Sequence, residues 1–68
     1  MIRIIVNNEE QEIEENANIF LLLSVNNITE LKGLAVAINN NVISKSEWQQ
    51  HQLKQGDKIT IISATAGG

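Results

Sequence analysis

Residues Ile2-Arg3-Ile4-Ile5-Val6 carry β-branched side chains at four of five positions and stop at Asn7-Asn8. Branching at Cβ restricts rotamers in a helix and suits the pleated surface of a sheet, so this run predicts a strand. Asparagine tolerates the left-handed backbone region better than other non-glycine residues, so Asn7-Asn8 predicts a turn. Glu9 to Glu14 then resumes as a polar, edge-like strand with Gln11 and Ile13 spaced by two. A chain that opens this way commits to a hairpin, with Ile2, Ile4, Val6 and Ile13 on its inner face.

The next segment changes period. Asn18 is placed to cap a short helix over about Ile19 to Val25, where Ile19, Leu22 and Leu23 fall on one face at i, i+3, i+4. Phe20 lies off that stripe, to flank the core or face a partner. Asn26-Asn27 ends the helix and Gly33 marks a loop. In Leu34-Ala35-Val36-Ala37-Ile38 the large residues alternate with alanines, so Leu34, Val36 and Ile38 fill a core while Ala35 and Ala37 face away. Asn39-Asn40-Asn41 predicts a turn, Val42-Ile43 a short strand, and Ser46-Glu47-Trp48 a capped single helical turn. Trp48 is expected in the core or at its edge, with its indole N–H on a backbone carbonyl. Gln55-Gly56-Asp57 is a further turn, and Lys58 to Ser63 the last strand. The order predicts an α+β roll, a mixed sheet of about five strands with one helix packed across it. The expected division is a folded domain over 1–63 and a flexible tail over 64–68.

With 68 residues, such a domain buries only about 60% of the surface its unfolded chain exposes. That leaves no room for a core and an enclosed catalytic pocket together, which argues against an independent enzyme. Cysteine is absent, which excludes disulfides, thiolate nucleophiles and Cys-based zinc sites. The net charge is -3 and the basic residues Arg3, Lys32, Lys45, Lys54 and Lys58 are scattered, so nucleic acid is not an expected partner. The longest apolar run, Ile19 to Leu23, is too short for a membrane span. The chain reads as soluble and cytoplasmic.

Side-chain chemistry is sparse. His51 lies between Gln50 and Gln52 with no carboxylate or serine at a motif spacing. Glu9, Glu10, Glu12, Glu14 and Glu15 form a charge run that reads as a solvated face rather than a metal site. No metal and no cofactor is expected. The remaining reactive group is the terminal carboxylate of Ala66-Gly67-Gly68. Without Cβ atoms, Gly67 and Gly68 permit close backbone approaches denied to other residues, and so can thread a narrow site. The five residues from Ala64 to Gly68 reach roughly 17 Å when extended, at about 3.4 Å per residue. Docking such a tail needs a surface: Ile5 and Ile62 point away from the core side, with Thr60 near them, and with Ala64 they offer a small apolar patch.

This order of elements with a diglycine end resembles the ubiquitin-like β-grasp fold, and within it the ThiS family of sulfur carriers in thiamine biosynthesis. The carrying residues are Val6-Asn7, Ala37-Ile38-Asn39, Val42 through Trp48, Gly56-Asp57 and Ala66-Gly67-Gly68. Ser46-Glu47-Trp48 discriminates most, since the related MoaD chains generally lack that tryptophan. Asn8 and Asn40 stand where family turns often have Gly, and Ser44 where a Pro is common.

The resemblance implies that the Gly68 carboxylate is adenylated with ATP by a ThiF-like adenylyltransferase. A persulfide sulfur donor then displaces AMP and leaves a terminal thiocarboxylate, which a ThiG-like thiazole synthase accepts. It also implies partner contacts by Ala64, Thr65 and Ala66 beside Ile5 and Ile62. Three other readings stay open: a MoaD-like carrier for molybdopterin, a ubiquitin-like modifier of lysines, and an interaction module without terminal chemistry.

Overall fold

The Asn7-Asn8 turn joins β1 (Ile2–Val6) to β2 (Glu9–Ile13), with Val6 paired to Glu9 and Ile2 to Ile13. This places two residues in the loop, at φ 49° and 71°, as a primed hairpin turn requires. Helix α1 (Ile19–Val25) follows, then β3 (Leu34–Ile38), β4 (Asn41–Ile43) and β5 (Lys58–Ser63). The computed structural model describes residues 1–63 of the chain.

The sheet order is β2-β1-β5-β3-β4. β1 and β5 run parallel, and the other three pairs are antiparallel. The last strand in sequence is therefore the middle strand in space. One helix packs across this mixed sheet, as the element order predicts: Ile19, Leu22 and Leu23 of α1 join Ile4, Val36 and Ile59 in one buried cluster.

Seven residues are too few for a stable isolated helix, so α1 depends on that burial and on its caps. Asn18 Oδ1 accepts the Leu21 N–H at 2.9 Å, the capping bond expected of it. Its Nδ2 also donates to the Gln49 carbonyl at 3.2 Å, tying the helix start to the segment after β4. At the other end Asn26 Nδ2 donates to the Leu22 carbonyl at 2.8 Å and shares two amide bonds with Gln11 of β2.

The single helical turn lies one residue earlier than predicted, a 3₁₀ turn over Lys45–Glu47. Ser44 rather than Ser46 occupies its N-cap, without a side-chain capping bond. The reason is Trp48, which closes the turn as its C-cap and is fully buried. Two further core residues, Ala17 and Leu53, carry no periodic signal. Leu53 sits in the polar stretch Gln49–Lys54 and is drawn inside where its N–H donates to the Ala17 carbonyl at 2.8 Å. Among the described residues every buried side-chain nitrogen and oxygen has a hydrogen-bond partner.

Candidate functional site

The tail predicted to carry the chemistry, Ala64, Thr65, Ala66, Gly67 and Gly68, lies outside the described residues. What the structure gives is the base from which it departs. β5 is paired on the β3 side from Ile59, opposite Ile38, to its last residue Ser63, opposite Leu34. On the β1 side the paired residues end at Ile59, opposite Val6. Beyond that point Asn7 takes over with its side chain: Oδ1 accepts the Ile61 N–H at 2.8 Å. The final residues of β5 are thus held by backbone on one flank and by one asparagine on the other.

The face turned away from α1 carries Ile5, Thr60 and Ile62, because Ile4, Val6, Ile59 and Ile61 point inward. Ile62 is 56% exposed, next to the exposed Ala35, and Ile5 is half-buried. The register pairs Ile5 with Lys58 and Ile62 with Ala35. Four residue steps along β5 therefore separate the two isoleucines, about 13 Å at about 3.3 Å per residue. They bracket Thr60 rather than touch. The apolar part of this face runs from Ile62 and Ala35 towards Ala37 and exposed Val42, which are paired across β3 and β4. The β1–β2 side is charged: Arg3 faces Glu12 at 3.7 Å, both exposed, a pair worth little in water.

His51 is half-buried and its backbone N–H donates to the Glu47 carbonyl. Among the described residues no three His, Asp or Glu side chains are grouped to hold a metal ion. Two hollows among the described residues are surface grooves. One of about 350 Å³ lies beside α1 between Phe20 and Leu31, and one of about 290 Å³ lies between Ile43 and Asp57. No described helix is long and apolar enough to cross a membrane.

Trp48 is the largest of the fully buried side chains. Its Nε1 donates to the Ile43 carbonyl at 2.8 Å, and Phe20 meets the indole edge-on with centroids 5.8 Å apart. Lys45 lies over the same ring at 5.9 Å and donates to the Leu31 carbonyl at 2.8 Å. Trp48 thereby ties the end of β4 to the helix side of the sheet, while Val42 and Ser44 to Glu47 stay exposed. Against this geometry, the family model described as ThiS family matches residues 2–68.

The chain belongs to the ThiS family.

Two individual comparisons agree with that placement. The sulfur carrier protein ThiS of Escherichia coli K12 is 39% identical over 36 residues, 53% of this chain and 54% of that protein. The match thus spans about half the length of that curated relative. The crystal structure of a thiamine biosynthesis protein (ThiS) from Geobacter metallireducens superposes with a TM-score of 0.83 at 22% identity. It covers 98% of this chain and 100% of that one, so the two share the β-grasp fold.

Two residues that hold β5 through their side chains escape a reading of the sequence. Asn7 and Asn39 look like turn formers and no more, yet each hydrogen-bonds β5 through its side chain. The available signal is weak: asparagine rather than glycine at the first of two turn positions.

Proposed function

We propose that this ThiS family chain is a sulfur carrier for thiazole formation in thiamine biosynthesis, with the Gly68 carboxylate as its reactive group. The observation that carries the reading is the extent of the family match, which includes Gly67 and Gly68. The name of the Escherichia coli relative, a sulfur carrier protein, supports the same reading.

A carboxylate accepts sulfur poorly because an oxide would have to leave. Attack of a Gly68 oxygen on the α-phosphorus of ATP releases pyrophosphate and gives an acyl-adenylate, from which AMP leaves readily. The outer sulfur of a persulfide displaces AMP to give an acyl disulfide. A thiol then cleaves the S–S bond, releasing the thiocarboxylate and leaving the donor sulfur in a mixed disulfide with that thiol. The thiocarboxylate carries sulfur as a nucleophile at neutral pH without releasing free sulfide. A ThiF-like adenylyltransferase performs the activation and a ThiG-like thiazole synthase receives the sulfur. The carrier is a cosubstrate in both steps. Its residues Ile5, Ile62, Ala64, Thr65 and Ala66 meet these partners while Gly67 and Gly68 enter the nucleotide site.

The test is intact mass after incubation with ATP, the cognate adenylyltransferase and a persulfide-generating source. The expected gain is the difference between a sulfur and an oxygen atom, localised to Gly68. An unchanged mass, with the same adenylyltransferase active on another carrier, overturns the reading.

A further inference from the structure

We infer that Asn7 is a positioning residue: its side chain replaces a missing stretch of strand backbone and so sets where the chain leaves the sheet towards its terminal glycines. In a parallel ladder, alternate residues of one strand donate an N–H and accept with their own carbonyl from the residue two further along the partner. Ile5 N–H donates to the Asp57 carbonyl and Asn7 N–H to the Ile59 carbonyl, both at 2.9 Å. The next acceptor, for the Ile61 N–H, would be the Asn7 carbonyl. At φ 49° Asn7 has turned into the hairpin and its carbonyl no longer follows the strand. Its side-chain Oδ1 accepts the Ile61 N–H instead, at 2.8 Å, while Nδ2 makes a longer contact of 3.4 Å with the Ile61 carbonyl. One amide side chain thereby serves as the next residue of β1.

The same device occurs on the other flank of β5. Asn39, at φ 52°, opens the two-residue turn between β3 and β4. Its N–H donates to the Lys58 carbonyl at 2.8 Å, and its Oδ1, in place of its carbonyl, accepts the Lys58 N–H at 3.1 Å. Its Nδ2 also reaches Asp57 Oδ1 at 3.1 Å. Asn39 therefore holds the start of the central strand and Asn7 holds its end. Only the Asn7 clamp bears on Ile61, two residues before Ser63. The second turn positions, Asn8 and Asn40, share the positive φ but make no side-chain bond to β5.

The consequence for function rests on the sulfur-carrier reading. A domain docked through its outer face delivers Gly68 to a recessed site only if β5 points the tail correctly. Loosening Ile61 then lowers the rate of adenylation more than it weakens docking.

The test compares full-length Asn7→Gly, Asn7→Asp and Asn39→Gly with wild type. Glycine keeps the positive φ and removes the clamp, whereas aspartate keeps an Oδ acceptor for Ile61. Amide hydrogen exchange by NMR is read at Ile61 and Lys58, with Ile59 as internal reference. Pyrophosphate release with the adenylyltransferase gives kcat and KM. In Asn7→Gly the Ile61 amide exchanges about five- to tenfold faster relative to Ile59, the loss expected for one hydrogen bond. Its kcat falls severalfold at near-constant KM, and Asn7→Asp recovers both. Asn39→Gly accelerates exchange at Lys58 and leaves Ile61 and kcat near wild type. Unchanged exchange at Ile61 in Asn7→Gly, or an equal loss of kcat in Asn39→Gly, overturns the positioning role. Failure of wild type to release pyrophosphate overturns the carrier reading instead, and exchange at Ile61 still decides the clamp.

Discussion

Trp48 Nε1 donates to the Ile43 carbonyl at 2.8 Å, so the fully buried indole both fills the core beneath α1 and holds the end of β4. Truncating Trp48→Ala removes the largest buried side chain and costs about 3–5 kcal/mol. A core of this size rarely supplies more than about 3–5 kcal/mol in total. The expected result is a chain largely unfolded at 25 °C, read by far-ultraviolet circular dichroism. Trp48→Phe restores most of the volume but leaves the Ile43 carbonyl without its donor, a loss of about 1–3 kcal/mol. Urea denaturation separates the two, and equal midpoints for wild type and Trp48→Phe would show that the hydrogen bond contributes nothing.

The two hairpins predict opposite outcomes for adjacent asparagines. Asn8 and Asn40 sit at φ 71° and 73°, where glycine is free of the Cβ penalty. Asn8→Gly and Asn40→Gly are expected to leave stability within about 1 kcal/mol of wild type. Asn8→Ala, which keeps a Cβ in the left-handed region without the local hydrogen bonding of Asn, costs about 1–2 kcal/mol. Thermal midpoints of the three variants check this ordering.

Gln11 and Asn26 exchange two side-chain amide bonds, 2.8 and 3.1 Å long, between β2 and the end of α1. Removing Asn26 takes both partners from the Gln11 amide, whereas Asn26 without Gln11 keeps its Nδ2 bond to the Leu22 carbonyl. A double-mutant cycle on Gln11→Ala and Asn26→Ala is expected to give a coupling energy of about 1 kcal/mol. A cycle that closes to zero means the pair is decorative.

Ile62 contributes little to folding, being 56% exposed on the outer face. Ile62→Asp is expected to shift stability by no more than about 0.5 kcal/mol, as for ordinary surface substitutions. If the outer face docks an adenylyltransferase, the same change raises KM severalfold in a pyrophosphate-release assay. An unaltered KM removes Ile62 from the docking surface.

On the proposed function, Gly67→Ala and Gly68→Ala place a Cβ on the segment assigned to the nucleotide site. Adenylation is expected to slow at least tenfold, a penalty of about 1.4 kcal/mol or more in the transition state. Urea midpoints stay at the wild-type value, since the last residue of β5 is Ser63. Wild-type pyrophosphate release by both variants would defeat the role given to the terminus.

The amino-acid sequence by itself determined the elements. Alternation placed β3 at Leu34–Ile38, Asn18 started α1, and paired asparagines turned both hairpins, because periodicity, capping and left-handed φ are properties of neighbouring residues. Only the tertiary structure decided that β5 lies between β1 and β3, and that Leu53 is buried against Ala17. It alone separated Ile5 from Ile62 and gave Asn7 its hold on Ile61. Strand order and register are set by contacts between residues tens of positions apart, and those leave no local pattern. An asparagine that satisfies a distant N–H looks in sequence like one that only makes a turn.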